Sequence, residues 1–224
     1  FVVWQGGVNP FGTAYFISNH IFIYINISIM KHIALLTTLL LSASLQAVEK
    51  PYDYVFFENS LMKGDYFYSQ AKYTSPSWIK NARHHLPVAG SVAFTPGNSL
   101  ELTYVSAPGG DWYSEIQYCP VRGNDFFREP STLSLQVQLR ESMNAAALPN
   151  IAIRYADSTY TQYLNLRNYL KDTRPGVWHS VSIPLKDFGL NAVNDTNIKK
   201  LAAVALRPGT ADGNEYTIYL DDIE

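Results

Sequence analysis

Residues 132–139 read TLSLQVQL, and this octapeptide limits the fold more than any other stretch of the chain. Leu133, Leu135, Val137 and Leu139 alternate with Ser134, Gln136 and Gln138. Side chains on a strand point to opposite faces in turn, so one face here is apolar and the other polar. SLELTYVS repeats the pattern: Leu100, Leu102 and Tyr104 stand against Glu101 and Thr103. Strands with one dry face and one wet face belong to antiparallel sheets packed on a shared core.

The same reading extends along the chain. Further candidate strands are YDYVFFEN, DYFYSQAKY, DWYSEIQY, NIAIRY, QYLNLR, VWHSVSIPL, LAAVALR and YTIYLDDI. Turn-rich clusters separate many of them: TPGN, APGGD, VRGND, KDTRPG and RPGTADGN. LKDFGLNAVNDTNIKKLA has room for one short helix or a looping turn. Many short strands with such punctuation predict an all-β, antiparallel two-sheet β-sandwich of the jelly-roll kind. In VWHSVSIPL, the alternation of Trp178, Ser180 and Ser182 with His179, Val181 and Ile183 leaves the buried face open.

The N-terminal part differs in kind. Residues 1–29 contain no Lys, Arg, Asp or Glu. Met30, Lys31 and His32 form a short basic start, Ile33 to Leu41 an apolar run, and SASLQA a small-residue cleavage region ending at Ala47. That order is the pattern of a secretory signal peptide. The expectation is therefore an upstream extension over 1–29, a signal peptide over 30–47, and one β-domain over 48–224. A membrane anchor from Ile17 to Leu45 is the rival, but Lys31 and His32 interrupt it and leave halves shorter than a span of about 20 residues. The mature chain is thus expected outside the cytoplasm, secreted, periplasmic or on the cell surface, with no transmembrane span after cleavage. Its one cysteine, Cys119, has no partner within the chain and reads as a buried thiol.

Charge and motif content narrow the function. The formal net charge is -2 with no basic cluster, which argues against a nucleic-acid partner. No G-x-S-x-G elbow, H-E-x-x-H pair or phosphate-binding loop occurs. His84 and His85 are neighbours on an extended stretch, where their rings diverge. Asp111, Glu115 and Asp125 are scattered carboxylates without a shared motif. Sixteen Tyr and four Trp, by contrast, suit flat ligands with a polar rim. Trp112 after a Gly-Gly-Asp turn, Trp78 in a loop-like stretch, and Arg154, Tyr155, Tyr160 and Tyr163 around RYADSTYTQY are the candidate sugar contacts. For Trp112 and Trp178 a place in the core is the competing reading.

Asp221 and Asp222 end the last strand. Neighbours on a strand face opposite ways, so they cannot act together on one bond as a glycosidase pair does. If the first and last strands lie side by side, Glu58 and Asp221 meet, and with backbone carbonyls they offer oxygen ligands to Ca²⁺. Two solvent-facing carboxylates are the alternative.

Two sets of residues carry a resemblance. WHSVSIPLKDF from Trp178, IKKLAAVAL from Ile198 and the ending ADGNEYTIYLDDIE look like the C-terminal half of bacterial carbohydrate-binding jelly rolls of the galactose-binding-like class. FFENSLMKGDYFYSQAKYTSPSWI, HLPV and FTPGNSLELTYVSAPGGDW resemble the domain that precedes the catalytic module in secreted glycoside hydrolases of the glycoamylase-like and β-1,2-glucan-degrading type. The likeness covers nearly all of residues 52–224. It implies a jelly roll that binds polysaccharide or oligosaccharide, a catalytic module downstream in the same chain, and a structural calcium held by Glu58 and Asp221, with Asp222 as a further ligand. It implies no catalytic residue in this stretch. A domain that packs on a hydrolase without binding glycan, and a small jelly-roll lyase or esterase, are the two competing functions.

Overall fold

The computed structural model describes residues 55–118, 131–190 and 201–224. The proposed signal peptide, residues 1–29 and Cys119 lie outside these residues. So does most of the segment in which a short helix was expected.

Eleven strands are described. They are β1 Ser69–Thr74, β2 Trp78–Ile79, β3 Val88–Ala89, β4 Ser99–Val105, β5 Asp111–Gln117, β6 Thr132–Leu139, β7 Asn150–Tyr155, β8 Leu164–Asn165, β9 Trp178–Pro184, β10 Leu201–Arg207 and β11 Glu215–Asp221. They form two sheets. One has the order β1-β5-β10-β7-β8, the other β2-β4-β11-β6-β9, with β3 also paired to β4. Each of these pairings is antiparallel. The expected two-sheet antiparallel sandwich is what the chain forms.

The alternation read from the sequence decides which side chains enter the core. Leu133, Leu135, Val137 and Leu139 of β6 are buried, as are Leu100, Leu102 and Tyr104 of β4. The open question in β9 is answered too: Val181 and Ile183 are buried, and Ser180 and Ser182 are exposed. From the other sheet come Ile116, Ile151, Ile153, Val204 and Leu206. Burying this apolar surface from both sheets supplies the main driving force for the fold, at roughly 25 cal/mol per Å².

Short devices end the strands. Asn165 caps a 3₁₀ turn over Leu166–Asn168, accepting from the Arg167 N–H, so QYLNLR yields only a two-residue strand. A second 3₁₀ turn, Leu185–Phe188, stops at Gly189, whose left-handed φ of 84° closes the turn. Gly110 has a steric reason: a Cβ there would lie 2.2 Å from the Ser77 backbone nitrogen. The segment at Phe57 lies beside the last strand, the condition on which Glu58 and Asp221 could approach. Phe57 and Ile223 form an antiparallel bridge, with Ile223 N–H donating to Phe57 O at 2.7 Å.

Candidate functional site

The outer face of the five-stranded sheet carries the site. On β5 the inward residues are Trp112, Ser114 and Ile116, which leaves Tyr113, Glu115 and Gln117 facing outward. Register places Gln70 of β1 opposite Glu115, and Lys72 opposite Tyr113. On the other side, Ala205 of β10 lies opposite Glu115, and Ala203 opposite Arg154 of β7. Ala152 faces Ala205 in turn. The centre of this face is therefore made of small side chains, and its borders of long ones. A groove of about 500 Å³ results, lined by Gln70, Lys72, Tyr113, Glu115, Arg154, Ser158, Tyr160 and Arg207.

The alanines let two distant strands touch. β5 and β7 are two strands apart, roughly 9–10 Å. Arg154 Nε nevertheless lies 2.6 Å from Glu115 Oε1, because no large side chain on β10 intervenes. Nothing but 1% of the Glu115 side chain is exposed, against 16% of Arg154. The contact is an ion pair held by charge more than by an aligned hydrogen bond. The Tyr160 hydroxyl donates to the same Oε1 at 3.1 Å, and Gln70 Nε2 donates to Oε2. The Tyr113 and Tyr160 hydroxyls lie 3.1 Å apart. Both oxygens of Glu115 are thus spent on holding the groove together, and its charge is compensated where water is scarce.

A turn brings Tyr160 into place. Tyr155 N–H donates to Thr159 O and Thr161 N–H to Ile153 O, each at 2.9 Å, which folds residues 153–161 back on β7. Ser158 occupies the left-handed region at φ 70°. Asp157 Oδ1 accepts from both the Thr159 N–H and its hydroxyl. Tyr160 then stacks on Tyr163, with ring centroids 6.1 Å apart. Arg207 lies over the rings of Tyr113 and Tyr163, at 5.6 and 5.5 Å. Burial pushes the Tyr113 hydroxyl well above the usual tyrosine range, and its bonds with Glu115 and Tyr160 push further the same way. Burial raises Tyr163 as well. The Tyr113 ring stays neutral and presents its polar edge to the groove.

Of the sequence candidates, Arg154 and Tyr160 are brought together here. Trp112 is not: it is fully buried, its ring 4.8 Å from Tyr104 and its Nε1–H donating to Ser106 Oγ at 2.9 Å. Its side chain presents no surface to a ligand, and the core reading is the one the packing supports. Trp78 lies in the opposite sheet, paired with Val105. Tyr155 packs against the core on the inner side of β7. Gln70, Lys72, Tyr113 and Arg207 were not singled out from sequence. The signal for them was outward alternation in SQAKYT, DWYSEIQ and LAAVALR, which acquires meaning only once those strands are known to be neighbours.

At the far end of the chain, Asp221 is fully buried. Its Oδ2 accepts from the Phe94 and Thr95 N–H groups at 2.8 and 3.1 Å, and its Oδ1 from the Asp222 N–H at 2.9 Å. Burial, opposed by these donors, pushes its pKa up to about 6. Asp222, at φ 44°, accepts from the Thr95 hydroxyl. Glu58 follows the Phe57–Ile223 bridge and is partly buried. Among the described residues, no three His, Cys, Asp or Glu side chains converge in a metal-holding group. Amide donors aimed at both oxygens of Asp221 suit a carboxylate anchoring a loop, and as placed they would oppose a cation there.

A two-sheet antiparallel sandwich with a polar and aromatic groove on one outer face has the architecture of a carbohydrate-binding module. The particular family follows from the sequence: residues 53–224 match the model for carbohydrate binding domain 30, CBM30, and the chain belongs to that family. The chain is also 98% identical over 195 residues to the exo β-1,2-glucooligosaccharide sophorohydrolase (non-reducing end) of Parabacteroides distasonis, covering 87% of this chain and 27% of that protein. A crystal structure of β-1,2-glucanase from the same organism matches with a TM-score of 0.75 at 98% identity, covering 78% of this chain and 25% of that one. The family 30 carbohydrate-binding module of a Clostridium thermocellum cellulosomal cellulase matches with a TM-score of 0.54 at 17% identity, over 75% of this chain and 94% of the module. That last likeness is one of fold. The chain spans about a quarter of the length of the two Parabacteroides relatives. Among the described residues, no helix is long and apolar enough to cross a membrane.

Proposed function

We propose that the domain is a non-catalytic glucan-binding accessory module that seats its ligand in the groove lined by Gln70, Lys72, Tyr113, Arg154, Tyr160 and Arg207, within a longer, secreted, polysaccharide-degrading protein. The observation that carries this reading is the preorganised network of Glu115, Arg154, Gln70, Tyr113 and Tyr160. Sugars need directional polar partners whose positions are fixed before binding, since each side chain ordered on binding subtracts from affinity. The β-1,2-glucan activity named for the P. distasonis relative suggests a β-1,2-linked chain as the ligand. Family membership supports carbohydrate as the ligand class. The signal-peptide pattern of residues 30–47 supports export.

Affinity electrophoresis of residues 48–224 through gels containing β-1,2-glucan, mixed-linkage glucan or soluble cellulose tests this reading. Retardation is expected in at least the β-1,2-glucan gel, and Tyr113→Ala, which removes a ring lining the groove, should abolish it while the variant still melts cooperatively. No retardation on any glucan would sink the binding role.

One observation favours a second reading, a domain that packs on a catalytic module. Leu61 and Phe67 are 95% and 64% exposed, and Met62 beside them is half-exposed. Such apolar surface suits contact with another domain. Loss of stability in the longer protein on Phe67→Ser, with glucan retention intact, would assign that role to this surface.

A further inference from the structure

The groove has an excess of positive charge that the fold does not consume. The whole chain has a formal charge of -2. Yet its groove is lined by Lys72, Arg154 and Arg207 against the single carboxylate Glu115. Arg154 and Glu115 neutralise each other at 2.6 Å. Two cations remain. Lys72 is exposed on β1, opposite Tyr113. Arg207 lies over Tyr113 from the β10 side. Tyr113 is thus flanked by a cation from each direction.

Nearby carboxylates do little to cancel them. Asp111 is 3.8 Å from Arg207, with both side chains about half exposed, and a pair so placed is worth little in water. Asp157, on the turn that carries Ser158, directs Oδ1 to the Thr159 N–H and hydroxyl. Tyr113, whose hydroxyl burial pushes above the usual tyrosine range, adds no negative charge. Arg207 also covers the faces of Tyr113 and Tyr163, where a neutral pyranose ring would otherwise stack. A guanidinium over two aromatic rings keeps N–H donors for planar or tetrahedral oxyanions.

We propose that the groove selects a glucan bearing anionic substituents, a phosphate ester or a carboxylate on its sugar units, with Arg207 and Lys72 as the residues that read the charge. This rests on the groove being the glycan site proposed above. The sugar backbone lies in the groove against Tyr113, Tyr160 and Gln70. The anionic substituent reaches the rim between Lys72 and Arg207, where a charge-assisted hydrogen bond is stronger than a neutral one.

Isothermal titration of residues 48–224 with three preparations of one linear β-1,2-glucan tests the proposal: unmodified, chemically phosphorylated, and oxidised at C6 to the uronate. At low ionic strength the phosphorylated or the oxidised glucan should bind about tenfold tighter than the unmodified one, and which of them does so identifies the anion. The advantage should shrink toward unity as sodium chloride approaches about 0.5 M, where screening is short-ranged. In the Lys72→Gln, Arg207→Gln double variant the ratio of anionic to neutral affinity should fall to near one. Lys80→Gln on the opposite sheet should leave that ratio high, because its partner is Glu101 and it lies outside the groove. Equal affinity for all three glucans overturns the proposal and leaves glucan binding standing. An equal loss of the ratio in Lys80→Gln also overturns it, since bulk charge would then be the cause. Binding of none of the three overturns both the proposal and the function on which it rests.

Discussion

Arg154 of β7 and Glu115 of β5 meet across the whole width of β10, Nε to Oε1 at 2.6 Å, with only Ala203 and Ala205 on the strand between them. The alanines leave room for the ion pair, which covers them and lines the groove. Stability and the proposed ligand recognition therefore draw on the same few side chains.

Removing one partner of this pair should be costly. Arg154→Met leaves the Glu115 carboxylate buried without its counter-charge, at about 3 kcal/mol. Urea unfolding should show the midpoint fall with little change in slope. The double variant Arg154→Met, Glu115→Gln should recover part of the loss, because the isolated charge is gone. A single variant as stable as the parent would show that water compensates Glu115.

Tyr160→Phe deletes one hydroxyl that bonds both Glu115 and Tyr113. The expected stability cost is about 1 kcal/mol, the usual worth of a partly buried hydrogen bond. Glucan affinity should fall about fivefold in titration calorimetry, since Glu115 and Tyr113 lose their fixed orientation. Unchanged affinity would place the ligand away from this turn.

Trp112 provides the opposite test. Its ring is enclosed by the core and its one polar atom is satisfied by Ser106. Trp112→Ala should cost roughly 3–5 kcal/mol in unfolding experiments, as large-to-small core substitutions do. Trp112→Phe, which keeps the fold, should bind glucan as the parent does. Weakened binding in that conservative variant would return Trp112 to the ligand site.

Asp221 accepts three backbone N–H groups in a buried place. Asp221→Ala strands those donors and should destabilise the domain by about 3 kcal/mol. Melting in the presence of a chelator separates amide anchoring from cation anchoring. With the hydrogen bonds observed, Tm should be the same with and without chelator. A lower Tm in chelator would mean that a calcium ion replaces those amides at Glu58 and Asp221.

The sequence determined the layers of this protein by itself. Period-two alternation in TLSLQVQL and SLELTYV assigned each residue a face, and apolar burial then leaves two sheets sharing a core as the outcome. That FFEN and YLDDI lie side by side was only a condition in the sequence, and the Phe57–Ile223 bridge supplies it. The sequence could not assign Trp112, since DWYSEIQ mixes aromatic and polar residues on both faces and alternation has no contrast to use. Nor could it find the groove. Alternation gives the face of a residue but not its neighbour in the next strand. That Ala203 and Ala205 fall between Glu115 and Arg154, and that Lys72 and Arg207 flank Tyr113, depends on the order β1-β5-β10-β7. Strands far apart in the chain pair in that order because only the complete sandwich buries all their apolar faces at once.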